Sequence, residues 1–375
     1  MRNNKNIIIL RSTSIVNDSR VLKEVKSLEE NDYDVKVLGW DRNKLLNSAN
    51  AEHIEVNLEC FKLKSNYGLG IKGILKLIMF QIWLCFKLYV YRREFDIVHC
   101  CDLDTAIPAT IISKIYRKKV VYDIFDYYTH AHHIPFKFEK IIENIENMVI
   151  NNADVTIICS EQRFEQISKA NPKECIVIHN TPEIKVSDNY LSCIRSKSNK
   201  IKIVYVGILQ EFRLLREVLE VISTNQQFEL HIGGFGVLED EIIEYARNHD
   251  NIFYYGSMKY EEVLVLESEC DILFATYDPK IKNHKYSAPN KLYEAMALSK
   301  PIIVCKETGI DKEVSLEKIG MVIEYSKQSF SDMLDYILEN KKEVIAMGIR
   351  GNKLYNKKYT WKSMSNNLIK CYNDL

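Results

Sequence analysis

The sequence predicts an α/β protein with two domains in tandem, each built on a parallel sheet. Near the N-terminus a strand (6–10), an amphipathic helix (19–30) and a second strand (33–38) follow one another, an order that joins parallel strands by a right-handed crossover. A second alternation of strands and helices starts at Lys202. A polar, charged segment without a clear pattern, 183–200, separates the two runs, and we interpret it as a linker.

The chain has 375 residues, which is enough for two domains that each bury a core. We therefore expect a first domain over 1–182 and a second over 201–358, followed by a final helix over 359–375. Net charge is zero, which argues against a dedicated nucleic-acid-binding protein. The ten cysteines form no CxxC pair, so we expect reduced thiols and a cytoplasmic location.

Loops at the carboxyl ends of parallel strands form ligand crevices. In the first half this places Arg11 to Arg20, and a loop rich in His, acids and aromatics after Tyr122, beside a ligand. The three histidines of that loop, His130, His132 and His133, do not match a zinc motif, and a sugar-binding loop accounts for them as well. The other predicted elements here are strands 96–101, 120–122, 154–160 and 176–179 and helices 71–91, 105–116 and 138–151.

In the second half we predict strands at 203–207, 228–232, 252–255, 272–275, 302–304 and 321–323 and helices at 214–223, 238–248, 260–268 and 327–340. The glycine string 233–236 resembles a dinucleotide fingerprint, but Glu239 stands where a third glycine is expected. We interpret the string as a tight strand-to-helix turn.

The stretch 286–304 predicts a loop, a short helix and a buried strand. Pro289 disfavours helix before it, and Asn290 is the expected N-cap. Glu294 then lies in the first or second turn of the helix. Two interpretations remain open: Glu294 complements the helix dipole, or it accepts hydrogen bonds from sugar hydroxyls while the helix N-terminus binds phosphate.

The stretch 61–93 carries seven Lys or Arg and no acid, interleaved with large apolar residues. Its uncharged part, 77–86, is too short to span a bilayer. The stretch is therefore a helix that covers a sheet, or one that also lies on an anionic membrane surface.

Asp102 and Asp104 form a DxD pair at a predicted strand end. Such a pair could hold a divalent cation on a nucleotide-sugar diphosphate, but Asp104 is equally an ordinary helix N-cap.

The motifs DSRVLKEVKSL, FDIVHCCDLDT, VVYDIFD, YVGILQEFR and PNKLYEAMALSKPII, in this order, together with a terminal YTW, resemble the family 4 glycosyltransferases over nearly the whole chain. The resemblance implies the GT-B fold: two Rossmann-like β/α/β domains that face each other across a cleft, with the helix 359–375 packed back onto the first.

For the second domain the resemblance implies that Glu294 binds the ribose of a nucleotide-sugar donor and that Arg213 contacts its diphosphate and stabilises the leaving group. Gly207, in YVGILQEFR, is a further donor-site residue. The sequence departs from the family where Tyr286 replaces the first acid and Ile208 an expected Arg. Tyr286, Asn290 and Lys291 are our candidates to replace the lost sugar contacts.

For the first domain we predict catalytic roles for His99, Asp102 and Asp126, from their positions at strand ends. Asp18, Arg20 and His130 are the predicted acceptor-binding residues. The cleft histidine often found in the VVYD segment is here Phe125.

The predicted function is retaining transfer of a sugar from a nucleotide-diphosphate sugar to a glycan, lipid-linked in our expectation, for a cell-surface polysaccharide such as capsule, exopolysaccharide or lipopolysaccharide. We expect no metal or other cofactor, and a location in the cytoplasm, peripheral on the inner face of the plasma membrane. Three alternatives stay open: a metal-dependent GT-A-like transferase that uses Asp102 and Asp104, a nucleotide-sugar 2-epimerase, and an inactive GT-B binding protein.

Overall fold

A computed structural model describes residues 5–42, 56–65, 71–132, 134–184, 194–196 and 198–375. His133 and most of the predicted linker lie outside these residues. The chain forms two compact units: Met1–His179 together with Met364–Leu375, and Asn180–Ser363. Below they are called unit 1 and unit 2.

Unit 1 contains a seven-stranded parallel sheet in the order β3-β2-β1-β4-β5-β6-β7. Its strands are β1 (Asn6–Arg11), β2 (Asp34–Trp40), β3 (Asn57–Phe61), β4 (Ile97–Cys101), β5 (Lys119–Ile124), β6 (Val155–Ile158) and β7 (Cys175–Val177). Its helices are α1 (Ser19–Glu29), α2 (Ile71–Val90), α3 (Leu103–Tyr116), α4 (Tyr128–Ala131), α5 (Phe136–Asn152) and α6 (Arg163–Gln166). The parallel strands confirm the predicted Rossmann-like sheet.

Strand β3 and the start of helix α3 differ from the prediction. Strand β3 escaped because its five residues are partly exposed and carry no run of apolar residues. Helix α3 begins at Leu103, directly after Asp102, whose φ of 61° turns the chain sharply out of β4. Asp104 therefore lies in the first turn of α3, not at its N-cap.

Unit 2 contains a six-stranded parallel sheet in the order β10-β9-β8-β11-β12-β13. Its strands are β8 (Ile201–Ile208), β9 (Phe228–Phe235), β10 (Ile252–Tyr254), β11 (Ile272–Ala275), β12 (Ile302–Cys305) and β13 (Gly320–Ile323). Its helices are α7 (Leu215–Thr224), α8 (Glu239–Asn248), α9 (Tyr260–Glu269), α10 (Asn290–Ala297), α11 (Ile310–Glu317), α12 (Lys327–Glu339) and α13 (Lys341–Leu354). A 3-10 helix, Lys282–Tyr286, precedes α10.

Helix α13 was not predicted because two glycines weaken its helix propensity. In the structure these glycines let α13 approach α10 closely. A Cβ on Gly348 would lie 2.1 Å from the backbone oxygen of Ser299, and one on Gly351 would lie 3.4 Å from Met296. The glycine string was predicted as a tight strand-to-helix turn, but Gly233 and Gly234 lie within β9 and only Gly236 follows it. Gly234 is needed for a close approach between strands, since a Cβ there would lie 1.8 Å from the oxygen of Gly207.

The chain ends in helix α14 (Trp361–Asp374). Its residues from Met364 onward belong to unit 1, where the buried Tyr372 packs edge-on against Tyr33 at 5.8 Å between ring centroids. The hydroxyl of Tyr33 donates a hydrogen bond to Asn373 Oδ1 at 2.7 Å. These contacts fix the end of the helix on the face of the sheet that carries α1.

The apolar part of helix α2 extends beyond the uncharged residues 77–86 in both directions. Between Gly73 and Val90 it has a mean hydropathy of 1.6, so it is long and apolar enough to cross a membrane by length and composition, and only 17% of this window is buried. The prediction of a span too short for a bilayer concerned only the uncharged part, 77–86, whereas this longer window also includes Lys76 and Lys87. Core helices of other proteins can pass the same test.

Candidate active site

In unit 2 the loop between β8 and α7 holds Arg213 in a strained backbone. Its neighbours Phe212 and Leu214 have φ values of 64° and 58°, a left-handed conformation that costs a non-glycine residue free energy and often marks a functional site. Hydrogen bonds hold the loop there: Thr276 Oγ1 donates to the oxygen of Arg213 at 2.6 Å, and the amide of Asp278 donates to the oxygen of Phe212 at 3.1 Å.

The guanidinium of Arg213 lies over the ring of Tyr277, with 4.0 Å between Cζ and the ring centroid. Its Nε and Nη1 are buried and have no hydrogen-bond partner among the described residues. A buried charged donor left unpaired is costly, so this position favours an anion that would accept both hydrogen bonds.

Helix α10 presents its N-terminus in the same unit. Asn290 is not the N-cap, contrary to prediction: Pro289 takes that position with φ −69° and ψ 141°. Proline readily adopts this extended geometry, and its missing N–H is no loss because the N-cap amide makes no helical hydrogen bond. Asn290 is instead the first helical residue, where its amide and that of Lys291 point out of the helix end.

Lys291 lies beside the end of β8. Its amine is 4.6 Å from the centroid of the Tyr205 ring, and a Cβ on Gly207 would lie 2.8 Å from its Nζ. Glycine at position 207 therefore leaves the space that the amine occupies. Tyr277 lies within electrostatic reach of both Arg213 and Lys291, so two cations converge on this edge of the sheet.

Glu294 is buried, with 4% of its surface exposed, and two residues of α9 lie against it. The hydroxyl of Tyr260 is hydrogen-bonded to Glu294, and burial together with that carboxylate raises the pKa of Tyr260. Burial and the charge of Glu294 likewise raise the pKa of Glu267 well above its ordinary value. Sequence reasoning missed both, although Tyr260 and Glu267 stand seven residues apart on one helix face.

Tyr286, predicted to bind the donor, ends the 3-10 helix and is half-buried. Behind this segment Gly309, with φ 82°, approaches so closely that a Cβ would lie 2.8 Å from the oxygen of Lys285. The backbone before α10 is thus held against the loop that follows β12. The donor-binding role of Tyr286 stays a prediction.

At the carboxyl edge of the unit 1 sheet, Arg11 binds two carboxylates. Its Nη1 lies 2.5 Å from Asp102 Oδ2, and its Nε lies 2.7 Å from Asp18 Oδ2. The other oxygen of Asp102 accepts from the amides of Phe125 and Asp126 at 3.0 and 3.2 Å. Burial raises the pKa of Asp102 to about 6, although the charge of Arg11 opposes the shift.

Asp102 and Asp104 do not form a shared cation site. Asp104 Oδ2 accepts from Ser12 Oγ at 2.9 Å, whereas both oxygens of Asp102 are engaged by Arg11 and backbone amides. The two carboxylates have separate partners, so the arrangement does not support the DxD interpretation.

His99 and Arg20 lie in a buried network beneath this edge. His99 has no exposed surface; its Nδ1 is 2.6 Å from the hydroxyl of Tyr372 and its Nε2 is 3.5 Å from Asp123 Oδ2. Arg20, 2% exposed, binds Asp123 at 2.8 Å and Glu24 at 3.0 Å. The structure therefore does not support direct contact of His99 or Arg20 with a substrate; their role here is to hold β4, β5, α1 and α14 together.

Glu24, His99 and Asp123 are close enough to ligate a metal, but the residues present do not fit one. The guanidinium of Arg20 already supplies the positive charge between Glu24 and Asp123. Burial opposes ionisation of Asp123, yet the charge of Arg20 and a hydrogen bond from His99 outweigh it and lower the pKa of Asp123. A second cation would be repelled by Arg20.

Asp126 is the accessible carboxylate of the unit 1 edge, with half of its side chain exposed. Arg163, from α6, is buried and binds Asp126 at 3.0 Å. Beside it Gln166 Nε2 lies 2.9 Å from His130 Nδ1. Sequence reasoning missed Arg163 and Gln166 because α6 is only one helical turn and has no periodic pattern. The edge thus combines a carboxylate, an imidazole and aromatic side chains, groups that suit sugar hydroxyls.

Residues 189–354 match the family described as glycosyl transferases group 1. No curated protein sequence matches the chain.

Solved structures similar to this chain include HepE (Alr3699) of Anabaena with UDP-glucose, at 14% identity and TM-score 0.74, covering 99% of this chain and 100% of that one. Sucrose-phosphate synthase of Thermosynechococcus elongatus is 13% identical with a TM-score of 0.77, covering 99% of both chains. The lipopolysaccharide outer core galactosyltransferase WaaB is 18% identical with a TM-score of 0.62, covering 99% of this chain and 100% of that one.

These likenesses confirm the GT-B fold, and over residues 189–354 the chain is similar to the group 1 glycosyl transferases. The predicted class of enzyme is therefore confirmed. The GT-A-like alternative was wrong, because the chain has two parallel sheets of the GT-B kind.

Proposed function

We propose that this glycosyltransferase takes its sugar from a nucleotide-diphosphate sugar bound at the carboxyl edge of the unit 2 sheet. One observation carries the proposal: the guanidinium of Arg213 has two buried donors without acceptors, close to Lys291 and the N-terminus of α10. A diphosphate supplies the charge and the acceptor oxygens that this edge lacks. Glu294, one turn into α10, would accept the ribose hydroxyls.

The acceptor is a glycan, lipid-linked in our proposal, and binds at the edge of unit 1 that carries Asp126 and His130. Two similar structures support a nucleotide-sugar donor and a glycan acceptor, but they do not identify the sugar that is transferred. HepE is solved with UDP-glucose, and WaaB is described as a lipopolysaccharide outer core galactosyltransferase. We accordingly propose synthesis of a cell-surface polysaccharide.

The reaction proposed is transfer with retention of the anomeric configuration. The bond between the anomeric carbon and the diphosphate oxygen breaks, and its electron pair leaves on that oxygen. The hydroxyl oxygen of the acceptor bonds to the same face of the anomeric carbon, and its proton passes to the departing phosphate. Arg213 and Lys291 stabilise the leaving group as negative charge develops, which is electrostatic catalysis. We propose that these two cations make a metal unnecessary.

The test is thermal stabilisation by UDP, GDP, dTDP, CMP and their common sugar conjugates, in EDTA and in manganese. A ligand at 100 times its dissociation constant stabilises the folded protein by about 2.7 kcal/mol. One nucleoside diphosphate should stabilise the wild type in EDTA, and Glu294→Ala should lose most of that stabilisation. Binding that requires manganese, or that ignores Glu294, would overturn the proposed donor site.

Reactions of the nucleotide sugar identified in this way, with and without acceptor, distinguish sugar transfer from epimerisation. With acceptor glycan present, transfer yields nucleoside diphosphate and an extended glycan in equal amounts. A 2-epimerase would change the sugar with no acceptor present. Accumulation of such an isomer without acceptor would contradict the proposed function while leaving the donor site intact.

A further inference from the structure

Helices α2 and α3 cover one face of the unit 1 sheet, and their outer sides form a continuous apolar surface. We propose that this surface, called the membrane face below, lies in the interface of an anionic lipid bilayer. Its members are exposed apolar side chains of the two helices: Ile74, Leu75, Ile78, Met79, Ile82, Phe86, Tyr89, Val90, Ile111 and Ile115. The inference concerns location and does not depend on the proposed sugar transfer.

The membrane face runs the whole length of α2. Ile74, Ile78, Ile82, Phe86 and Val90 follow one another at intervals of four residues, so each lies next to the one a turn before it, and the row shifts gradually around the exposed half of the helix. Helix α3 packs alongside α2 and adds Ile111 and Ile115, again four residues apart. Exposed apolar patches of this extent are rare on monomers and mark interaction sites.

The opposite side of α2 belongs to the core. Phe80, Leu84 and Leu88 have no exposed surface, and the ring of Phe80 stacks on Trp40 at 5.0 Å between centroids. If α2 left the sheet to span a bilayer, it would uncover that core. The helix must therefore keep its place in unit 1 and lie flat, so that only its outer side enters the lipid.

Charge favours an anionic surface as the occupant. Helix α2 has no acid, and the one acid of α3, Asp104, is buried. Lys114 and Arg117 are exposed beside Ile115. A patch of this kind, with basic residues at the rim of an apolar surface, gains from anionic headgroups as well as from burial of its apolar side chains.

The end of α2 carries residue types that are common at the membrane–water interface. The guanidinium of Arg92 lies 4.2 Å from the centroid of the Tyr89 ring, and the rings of Tyr89 and Tyr116 are 6.1 Å apart. Arginine and tyrosine are enriched at the level of lipid headgroups. Two acids, Glu94 and Asp96, follow in the turn, where the carboxylate of Asp96 accepts from the backbone amide of Asn6 at 3.0 Å.

The test is flotation of the full chain with phosphatidylcholine vesicles, with and without phosphatidylglycerol. We expect flotation with the anionic vesicles that weakens in high salt. Ile82→Glu and Ile115→Glu should each weaken binding at least about tenfold, because a carboxylate in the apolar face costs free energy and repels anionic lipid. Both side chains are 63% exposed, so melting temperature should not fall.

Ile345→Glu is the matched control, because Ile345 is also 63% exposed but lies in α13 of unit 2. It should float like the wild type. Absence of flotation by the wild type at low salt, or equal loss in Ile345→Glu, would overturn the inference. So would a wild type that is dimeric by light scattering in the absence of lipid and becomes monomeric in Ile82→Glu, since the surface would then bind a second copy.

Discussion

The carboxyl edges of the two sheets both carry basic side chains, but these side chains have different partners. In unit 1 Arg11 and Arg163 at the edge, and Arg20 beneath it, each bind at least one carboxylate. In unit 2 Arg213 and Lys291 lie over tyrosine rings, and no described carboxylate forms an ion pair with Arg213.

This difference indicates which edge is built for an anion. A cation paired with a carboxylate has its charge and its donors already satisfied, so the unit 1 edge offers a neutral, hydrogen-bonding surface. Both edges hold a cation over an aromatic ring, since Arg11 lies 4.1 Å from the centroid of the Phe125 ring, but Arg213 has no carboxylate partner among the described residues, so its donors stay free. The unit 2 edge therefore gains most from a diphosphate, whereas the unit 1 edge suits an uncharged sugar.

The largest expected effect follows removal of the unpaired cation. Arg213→Ala should lower kcat/KM by about 100- to 1,000-fold, because it removes donors that act on the leaving group, and should weaken nucleoside diphosphate binding at least about tenfold. Steady-state kinetics and calorimetric titration measure the two quantities.

Arg216→Ala is the matched control for this prediction. Arg216 stands three residues further along and binds Glu211 and Glu241 at 2.6 and 2.8 Å, so its charge is already paired. Both kcat/KM and the affinity for nucleoside diphosphate should stay within about twofold of the wild type, because exposed ion pairs contribute little. Equal losses in the two variants would remove the distinction between paired and unpaired cations.

Glu294→Gln should separate nucleoside recognition from diphosphate recognition. Loss of charge-assisted hydrogen bonds to the ribose should weaken binding of the nucleoside diphosphate by about tenfold. Inhibition by inorganic pyrophosphate should not change, since it has no ribose. If binding of the nucleoside diphosphate and of pyrophosphate weakens equally, Glu294 supports phosphate binding at the N-terminus of α10 rather than binding of the ribose.

Asp126→Asn should affect the acceptor alone. We expect the KM for the acceptor to rise by about fivefold, since one hydrogen-bonding group of the unit 1 edge is weakened, with no change in nucleotide affinity. Glu143→Gln, which breaks an ion pair with Lys169, is the control. Weaker nucleotide binding in Asp126→Asn would contradict the proposal, because it would indicate that the diphosphate binds at unit 1 rather than at unit 2.

The smallest effect concerns the stability of the unit 1 edge. Burial raises the pKa of Glu146 to about 8, against opposing hydrogen bonds from Tyr128 and Tyr122. A folded-state pKa above the unfolded value gives a stabilisation that is lost as pH rises through about 8. The wild type should therefore lose about 1 kcal/mol more stability between pH 7 and 9 than Glu146→Gln.

Denaturant melts of the wild type and Glu146→Gln at the two pH values give this difference directly. The variant keeps the side-chain oxygen that accepts from Tyr122 and Tyr128 but cannot ionise. Parallel losses in the two proteins would assign the pH dependence to other groups, such as Asp102 or Glu24, whose pKa values are also raised by burial.

Strand and helix order could be predicted from the sequence because it depends on local apolar patterns. The elements that escaped have weak local signals. Strand β3 is half-exposed, α6 is a single turn, and α13 contains Gly348 and Gly351, whose use becomes evident only against α10.

The candidate site was less predictable because it depends on contacts between distant segments. From its position at a strand end, His99 was predicted to lie beside a ligand. In the structure Tyr372, from the other end of the chain, packs against His99 and buries it. The same lack of long-range information hid Glu267 and Arg163. Arg213 and Glu294 could be proposed because the motifs around them are contiguous in sequence.

The most direct test of the central claim is the crystal structure of the protein with the nucleoside diphosphate that stabilises it. We predict diphosphate oxygens within hydrogen-bond distance of Arg213 Nε and Nη1 and of Lys291 Nζ, with the ribose hydroxyls on Glu294. A diphosphate bound instead to Arg11 or Arg163 of unit 1, with the donors of Arg213 still unpaired, would contradict the account.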